Sequence, residues 1–548
     1  MGQPRGVCVP SLTSSDALLK ESFDDVHPHV RGRFSSTPMT TSGPRLHARW
    51  LLLAVSAIPP VVQIVAASSN SYTYFIDELY YLACARRLAA GYVDHPPLAP
   101  LVLAGVRATF GESLLAIRIL PFLAGGVTAW LAGILALELG GGSFAMALAA
   151  LTIGLAPGFV ALSGFYSMNA FEPLIWTFVT LLLVRLARSH DMRRWLPIGI
   201  AVGVGLENKH TLIVYVGALA IGILATSARR LLATRWLAIG AAAAAALVLP
   251  NLLWQLANGW PSLEFYRNAQ ALKNLPTPPM QSIVAQLLFM NPISAPIWMA
   301  GLVALVVGRW RELRFIGWSA VVLFVVQIAS HSSRPDRIAA GYPVLMAAGA
   351  VVVADYVRDR FVRAAMIAGA AVSAAALLPL VTPLLPPPAL ASYLARLGLQ
   401  ERIALERGKT SPLPQPLADR TGWESFVDDI ERVYERLPED DRRRAIVYVP
   451  DYGHAAALEL WGPSRGLPRV ICSHNSFFHW SAGHADADVL IAVGANPKDL
   501  DLLYREHSLV DTVRCEYCMS WRANMPIFVA RQPVMAMNAF WPRLRHYE

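Results

Sequence analysis

The segment FIDELYYLACARRLAAGYVDHPPLAPLVLAG, residues 75–105, lies between two apolar runs, at about 50–67 and 116–138, that are each long enough to cross a membrane. Similar runs of about 20 residues continue to about residue 385. In the whole chain of 548 residues, 55% are hydrophobic and 16% are charged, against roughly a quarter charged in soluble proteins. This composition excludes a disordered, fibrous or ordinary cytosolic protein and predicts an α-helical polytopic membrane protein.

The apolar runs predict about 11 membrane-spanning segments, at about 50–67, 116–138, 143–162, 168–187, 195–207, 209–226, 233–253, 282–307, 313–330, 338–354 and 363–384. Alternate loops carry arginine clusters, which begin at Arg185, Arg229, Arg309 and Arg358, and the positive-inside rule assigns these loops to the cytoplasm. An odd number of spans then places the N-terminus inside and the residues after 385 outside the plasma membrane. Residues 1–45, rich in Ser, Thr and Pro, are predicted to be a disordered cytoplasmic tail.

The composition changes after the proline-rich stretch 379–388, where charged residues return. Four short apolar runs, at 445–450, 469–472, 488–493 and 526–530, are typical of buried strands and alternate with helical stretches. The alternation predicts a small extracytoplasmic α/β domain over 386–548, next to a membrane domain over 46–385. Five cysteines in this length exclude a disulfide scaffold, and Cys515–Cys518 is predicted to be a local disulfide unless Cys472 takes part instead.

Ionisable side chains near a membrane are functional candidates, because burial of their charge is costly unless they are paired or hydrated. Most acidic residues within 46–385 fall in the predicted outer loops. Among them, Asp77 and Glu78 open an amphipathic helix that we predict over Leu79–Ala90. Their position indicates an acid-lined site at the outer surface, able to act as a general base or a cation site. The alternative is that both acids only complement the dipole of that helix.

The Asp77–Glu78 pair after the first span, the aromatic pair Tyr80–Tyr81 and the HPPL segment at 95–98 resemble the polytopic GT-C glycosyltransferases. The most similar group is the bacterial one related to protein O-mannosyltransferases and aminoarabinose transferases (glycosyltransferase family 39/83, RgtA/B/C/D-like). Four further segments resemble family motifs in the same order: YSMNAFEPLIW at 166–176, GLENKHT at 205–211, RIAAGYP at 337–343 and YGHAAALEL at 452–460. The resemblance covers about residues 50–540.

The resemblance implies a GT-C fold, with amphipathic helices in the first outer loop, and an enzyme that uses a polyprenyl-phosphate sugar as donor. Such enzymes transfer the sugar on the outer face of the membrane, usually with inversion. Asp77 matches the family's catalytic aspartate and is predicted to be the general base. Glu78 is predicted to orient Asp77, the acceptor or a positive partner. Glu172 stands where the family has its second acid, usually an aspartate; alternatively, it is a helix-start acid before Pro173.

Four basic residues are candidates for the donor phosphate: Lys209, His95, Arg334 and Arg337. Lys209 is a lone lysine in an arginine-rich chain, and a compact charge at the membrane boundary suits a phosphate. His95 occupies the position where relatives have Lys or His before Pro-Pro, and Arg334 and Arg337 lie in the last outer loop. The alternatives are that Lys209 snorkels to the membrane surface or pairs with Glu207, that His95 is a surface or capping histidine, and that Arg334 and Arg337 are solvated loop charges.

The expected partners are the polyprenyl-phosphate sugar, membrane lipid, and a glycan, lipid or protein acceptor. Nucleic acid is not expected, because the net charge of +9 comes without a basic block that has interleaved aromatics. No cofactor is required by the sequence and no metal site is predicted, although the paired acids could hold a divalent ion. The alternative function is a transporter or flippase of lipid-linked sugars, which should show inverted repeats and polar groups at the bilayer midplane.

Overall fold

Helices form most of the chain between residues 46 and 397 in the computed structural model, which describes residues 46–68, 71–331, 334–399 and 410–548. They are α1 Leu46–Ser56, α2 Ile58–Ala67, α3 Ile76–Arg86, α4 Leu98–Phe110, α5 Leu114–Glu138, α6 Ser143–Gly154, α7 Pro157–Leu162, α8 Met168–Ser189, α9 Trp195–Asn208, α10 Leu212–Leu224, α11 Arg235–Ala257, α12 Pro261–Asn268, α13 Pro279–Phe289, α14 Ala295–Val307, α15 Arg314–Ala329, α16 Tyr342–Tyr356, α17 Arg360–Leu377 and α18 Pro387–Leu397. The predicted tail 1–45 lies outside the described residues.

Seven helical stretches, some of them made of consecutive segments such as α1 and α2, are long and apolar enough to cross a membrane: Leu46–Ala67, Leu114–Glu138, Met168–Ser189, Arg235–Ala257, Arg311–Ala329, Pro335–Tyr356 and Arg360–Leu380. An eighth span is possible if α13 and α14, bent by 95° at their junction, count as one; these numbers concern the described residues. The predicted count of 11 is therefore not confirmed. The predicted span 143–162 breaks between α6 and α7, and α9 and α10 have only 14 and 13 residues. Such helices are shorter than the roughly 20 residues that a bilayer requires. The chain is nevertheless a multi-pass membrane protein.

The apolar surface of the bundle is not all internal. Of the most apolar 18-residue stretch in α11 only 11% is buried, and of the corresponding stretch in Arg360–Leu380 only 17% is buried. Apolar helix faces exposed to this extent are suited to lipid contact. Inside the bundle, small residues let helices approach closely: a Cβ at Gly301 would collide with the main chain of Leu345, so α14 and α16 pack in direct backbone contact.

The C-terminal region, residues 410–548, contains the helices α19 Gln415–Ala418, α20 Trp423–Glu435, α21 Glu439–Arg444, α22 Tyr452–Trp461, α23 Asn475–Ser481, α24 Pro497–Leu503 and α25 Met537–Phe540. Its strands are β1 Ala445–Val449, β2 Val470–Cys472, β3 Val489–Val493, β4 Tyr504–Thr512 and β5 Pro526–Pro533, in the order β2-β1-β3-β5-β4. β2, β1 and β3 are parallel, whereas β5 and β4 are antiparallel to their neighbours. The α/β prediction is thus confirmed, and β4 is an additional, exposed edge strand.

The first loop and the C-terminal region share one hydrophobic core. Ile76, Leu79 and Tyr80 of α3 are buried together with Trp423 and Phe426 of α20 and with residues of the sheet. Residues 48–548 accordingly form one compact unit. The shared core fixes the first turn of α3 against the C-terminal region, and this contact positions the site described below.

One local prediction changes and another is confirmed. The helix predicted over Leu79–Ala90 runs from Ile76 to Arg86, because the Glu78 side chain caps it early and Arg87 leaves helical geometry to pair with Glu459. Cys515 and Cys518 form the local disulfide, and Cys472 is a free, buried thiol.

Candidate active site

A cavity of about 530 Å³ lies between the start of α3, the chain around residue 335 and the C-terminal region. This volume is within the range of small-molecule pockets, about 300–1,000 Å³. Its polar lining comes from both parts of the chain: Asp77, Asn169, Lys273, Arg334 and Asp336 from the membrane part, and Gln415, Asp419, Tyr448, Asp451, Tyr452, Ser473, His474, Trp521, His546 and Glu548 from the C-terminal region. The site is therefore a composite of the two.

Asp77 is the predicted site residue that is best placed for chemistry. It lies in the first turn of α3, and its carboxylate faces the cavity. The hydroxyl of Tyr452 donates to Asp77 Oδ1 at 3.0 Å. Burial raises the pKa of Asp77 above its ordinary value, while the charge of Lys273 and the bond from Tyr452 act in the opposite direction. A carboxylate with a raised pKa next to a cavity is a stronger base than one in water.

Glu78, the next residue, has opposite surroundings. Arg118 binds it through two bonds, Nε to Oε1 at 2.8 Å and Nη2 to Oε2 at 2.6 Å, and both side chains are buried. The main-chain N–H groups of Phe75 and Tyr166 donate to the same carboxylate at 2.8 and 2.9 Å. Glu78 does not line the cavity, and its oxygens are occupied by protein donors. This arrangement suits a residue that holds the first turn of α3 in place.

Glu172 and Lys209 form a second buried ion pair, with 2.6 Å between Nζ and Oε2. Thr211 Oγ1 donates to the other oxygen of Glu172 at 2.7 Å. The ion partner of Lys209 is thus Glu172 rather than Glu207. Neither member of the pair lines the cavity, so Lys209 is not aimed at a ligand there.

The other predicted phosphate-binding residues separate into two groups. His95 is buried and stacked on Tyr81, with ring centroids 4.6 Å apart, and does not line the cavity. Arg337 also lies outside the lining and makes a long contact of 3.5 Å with Gln270 Oε1. Arg334 does line the cavity and pairs with Asp336 through Nε at 3.0 Å and Nη2 at 3.3 Å.

Lys273 is a cavity cation that the sequence reasoning did not single out. It ends a short helical segment, Ala269–Lys273, and lines the cavity together with Asp77. The signal that pointed to Lys209, a rare lysine in an outer loop, applies equally to Lys273 and would have found it. Among the described residues, Lys273 and Arg334 are thus the lysine and arginine side chains that line the cavity.

The C-terminal region contributes a connected polar group that motif reasoning also missed. Asp451 caps α22 by accepting from Gly453 N at 2.7 Å, and its Oδ2 lies 3.2 Å from His474 Nδ1. Burial alone would raise the pKa of Asp451, but His454 and His474 hold it well below its ordinary value. Of the three histidines in the segment 474–484, only His474 lines the cavity. Within the described ranges, no group of three or more His, Cys, Asp or Glu side chains has metal-binding geometry.

Comparisons with known proteins show what the chain is similar to. Residues 94–254 match the family model described as dolichyl-phosphate-mannose-protein mannosyltransferase. ArnT from Cupriavidus metallidurans bound to undecaprenyl phosphate is similar in structure, with a TM-score of 0.53 and 17% identity over 88% of this chain and 97% of that chain. The apo state of the same protein gives a TM-score of 0.54 and 16% identity over 89% and 98%. A search of the curated proteins found no match. The family match and the structural similarity to ArnT confirm the resemblance predicted from the motifs.

Proposed function

We propose that this chain, an integral membrane enzyme with the GT-C glycosyltransferase fold, transfers a sugar from a polyprenyl-phosphate donor to a hydroxyl of a glycan, lipid or protein acceptor. The reaction takes place on the outer face of the plasma membrane. In this proposal residues 46–385 are the membrane domain, 386–548 the extracytoplasmic domain, and 1–45 a cytoplasmic tail. The arginine clusters of alternate loops support this orientation.

One observation carries the proposal: the Asp77 carboxylate, with its raised pKa, shares a cavity with Lys273 and Arg334. Asp77 takes the proton from the acceptor hydroxyl, and the resulting oxygen nucleophile attacks the anomeric carbon of the donor. The bond between that carbon and the phosphate oxygen breaks, and polyprenyl phosphate leaves with the bonding electrons. Attack from the side opposite the phosphate inverts the anomeric centre.

Lys273 and Arg334 stabilise the negative charge that develops on the departing phosphate. Charge-assisted bonds of this kind are roughly twice as strong as neutral ones. Arg334 is held in a fixed orientation by Asp336, so the guanidinium does not reorganise during the reaction. The structurally similar ArnT binds undecaprenyl phosphate, which supports a lipid phosphate as the ligand of these cations.

The remaining predicted residues have positioning roles in this proposal. Glu78 fixes the turn that presents Asp77. The Glu172–Lys209 pair fixes the start of α8, the helix that brings Asn169 to the cavity, and Asn208 supports the same turn by donating to Met168 O at 2.9 Å. His95 supports the buried aromatic cluster behind α3, and Arg337 flanks Arg334.

A comparison of glycolipids and glycoproteins by mass spectrometry, between a parent strain and a strain lacking the chain, tests the function. We expect one sugar to be missing in the deletion strain, restored by the parent chain but not by Asp77→Asn. Purified protein in detergent separates transfer from transport, because micelles have no second compartment. Product formed in detergent supports a transferase, whereas identical mass profiles and no product in detergent would refute it.

A further inference from the structure

The segment Arg545–Glu548, called the tail segment below, is fastened to the C-terminal region at the edge of the cavity. His546 N donates to Ser473 O at 3.1 Å, and Asn475 N donates to His546 O at 2.8 Å. These bonds make a parallel bridge between His474 and His546, just beyond the end of β2. Tyr547 OH lies 2.8 Å from His479 Nε2 on α23. The tail segment is thus an integrated part of the fold.

The tail segment also reaches the loop that carries Lys273. Asn268, the last residue of α12, donates through Nδ2 to Tyr547 O at 2.8 Å. Arg545 Nη2 lies 3.0 Å from Glu264 Oε1 on the same helix. Because the segment Ala269–Lys273 follows α12 directly, these contacts connect the position of Lys273 to the position of the tail segment.

His474 connects the last residue of the tail segment, Glu548, to Asp451. Its Nδ1 lies 3.2 Å from Asp451 Oδ2, and its Nε2 lies 3.1 Å from the main-chain oxygen of Glu548. Both partners are hydrogen-bond acceptors, so His474 bridges the side chain of Asp451 and the main chain of Glu548. This contact holds Glu548 in the cavity wall.

The resulting wall has the chemistry of a site for hydroxyl groups. The side chains of His546 and Glu548 line the cavity, with 3.1 Å between His546 Nε2 and Glu548 Oε1. Ser473 and Tyr448 also line the cavity, and their hydroxyl oxygens lie 3.3 Å apart. The hydrogen bond from His546, followed by the nearby charges of His546, His474 and Lys273, lowers the pKa of Glu548, so this wall presents a charged carboxylate. A carboxylate and an imidazole side by side accept from and donate to neighbouring hydroxyl groups.

We propose that the tail segment, through Glu548 and His546, forms a binding subsite for the hydroxyl groups of a sugar ring in the cavity that contains Asp77. This inference rests on the proposed transferase function and deepens it. The ring belongs either to the donor sugar or to a saccharide part of the acceptor, and the two sources share the same hydroxyl chemistry.

The test uses the full chain and two variants, Glu548→Gln and His546→Ala. Glu548→Gln keeps the main-chain oxygen that His474 binds, so the tail segment stays fastened. Binding is measured for undecaprenyl phosphate alone and for the undecaprenyl-phosphate pentose or hexose, from a panel, on which the parent chain is active. The KM for the acceptor is measured in the same preparation. Arg543→Gln is the matched control, because Arg543 is exposed and contacts Phe540 outside the cavity.

We expect both variants to bind undecaprenyl phosphate as the parent does. If the ring is the donor sugar, affinity for the sugar-bearing lipid falls about tenfold, the size of effect for a lost hydrogen bond to a charged group. If the ring is in the acceptor, its KM rises by about the same factor while donor binding is unchanged. Unchanged donor affinity and acceptor KM in both variants would overturn the subsite alone. A parent chain that neither binds undecaprenyl phosphate nor forms product would instead refute the transferase function.

Discussion

Asp77 and Glu78 are neighbours in the first turn of α3, yet they belong to two different regions of the molecule. Asp77 faces a cavity and accepts a hydrogen bond from Tyr452. Glu78 points into the protein, where Arg118 and two main-chain N–H groups occupy its oxygens. A carboxylate whose bonding capacity is used by the protein stabilises the fold, whereas one that faces a cavity can bind or deprotonate a ligand.

Lys209 and Lys273 differ in their surroundings in the same way as Glu78 and Asp77. Lys209 is buried against Glu172, whereas Lys273 lines the cavity with Asp77. In both comparisons the sequence context is similar, an ionisable residue in a predicted outer loop, and the surroundings decide the role. Substitutions that exchange charge for neutral polarity at these four positions should therefore have different kinds of effect.

The largest expected effect is that of Asp77→Asn on the rate of sugar transfer. Loss of the general base should lower the rate of sugar transfer by about 10²–10⁴-fold, because that is the usual contribution of a positioned base. The amide still accepts the bond from Tyr452, so thermal unfolding of the purified variant should resemble that of the parent. A variant at an exposed acid outside the cavity, Glu439→Gln, is the control and should transfer at the parent rate.

The second-largest expected effect is that of Glu78→Gln on stability. This substitution leaves Arg118 as a buried charge without a carboxylate partner. Breaking such a pair lowers the free energy of unfolding by about 3–5 kcal/mol. Thermal unfolding in detergent and the yield of folded protein measure this change. Glu112→Gln is the matched control: Glu112 pairs with Arg86 and Arg107 at the surface, and its loss should change the same free energy by about 0–1 kcal/mol. Equal effects of the two substitutions would contradict the structural role of Glu78.

A smaller effect is expected for Lys273→Gln. Removal of one charge-assisted bond to a phosphate should weaken binding of undecaprenyl phosphate by about 10–100-fold, with stability unchanged. Lys209→Gln should instead lower the stability and leave binding of undecaprenyl phosphate unchanged, because it leaves Glu172 buried without its ion partner. Lipid affinity and thermal unfolding, measured on both variants, distinguish the two lysines. If Lys209→Gln were the variant with the weaker lipid binding, the assignment of the phosphate site would be wrong.

The smallest effect is expected for Tyr452→Phe. The hydrogen bond from Tyr452 favours the charged form of Asp77 and so lowers its pKa. Without that bond the pKa of Asp77 rises further above its ordinary value. A general base must be deprotonated, so activity is lost as the pH falls through this pKa, and the acid limb of kcat/KM should move to higher pH. A limb that stays in place or moves to lower pH would contradict the contact.

Much of the fold could be predicted from the apolar runs and the four buried strands. The length of an apolar run does not reveal where a helix breaks, and therefore the span count of 11 was not confirmed. The α13–α14 bend occurs at Asn291, whose positive φ of 69° before Pro292 no periodicity indicates. β4 was missed because it is an edge strand with mostly exposed side chains, so it lacks the apolar pattern of a buried strand.

The site could be predicted in part. Asp77 and Arg334, both singled out in the sequence, meet in one cavity. Glu78 is bound by Arg118, which lies 40 residues further along the chain and belongs to no recognisable motif. The structural role of Glu78 could therefore not be predicted. The wall formed by His474, His546 and Glu548 depends on tertiary contacts between distant segments. Sequence spacing cannot show such contacts, and only the folded chain brings these side chains to Asp77.

The most direct test of the central claim is the single-turnover rate of sugar transfer per correctly folded molecule, measured for Asp77→Asn and Glu78→Gln in one detergent preparation with bound donor. The account predicts that folded Asp77→Asn binds donor but transfers at least about 10²-fold more slowly than the parent. Glu78→Gln should give fewer folded molecules, which then transfer within about tenfold of the parent rate. Parent-like transfer by Asp77→Asn would contradict the claim that this carboxylate accepts the proton.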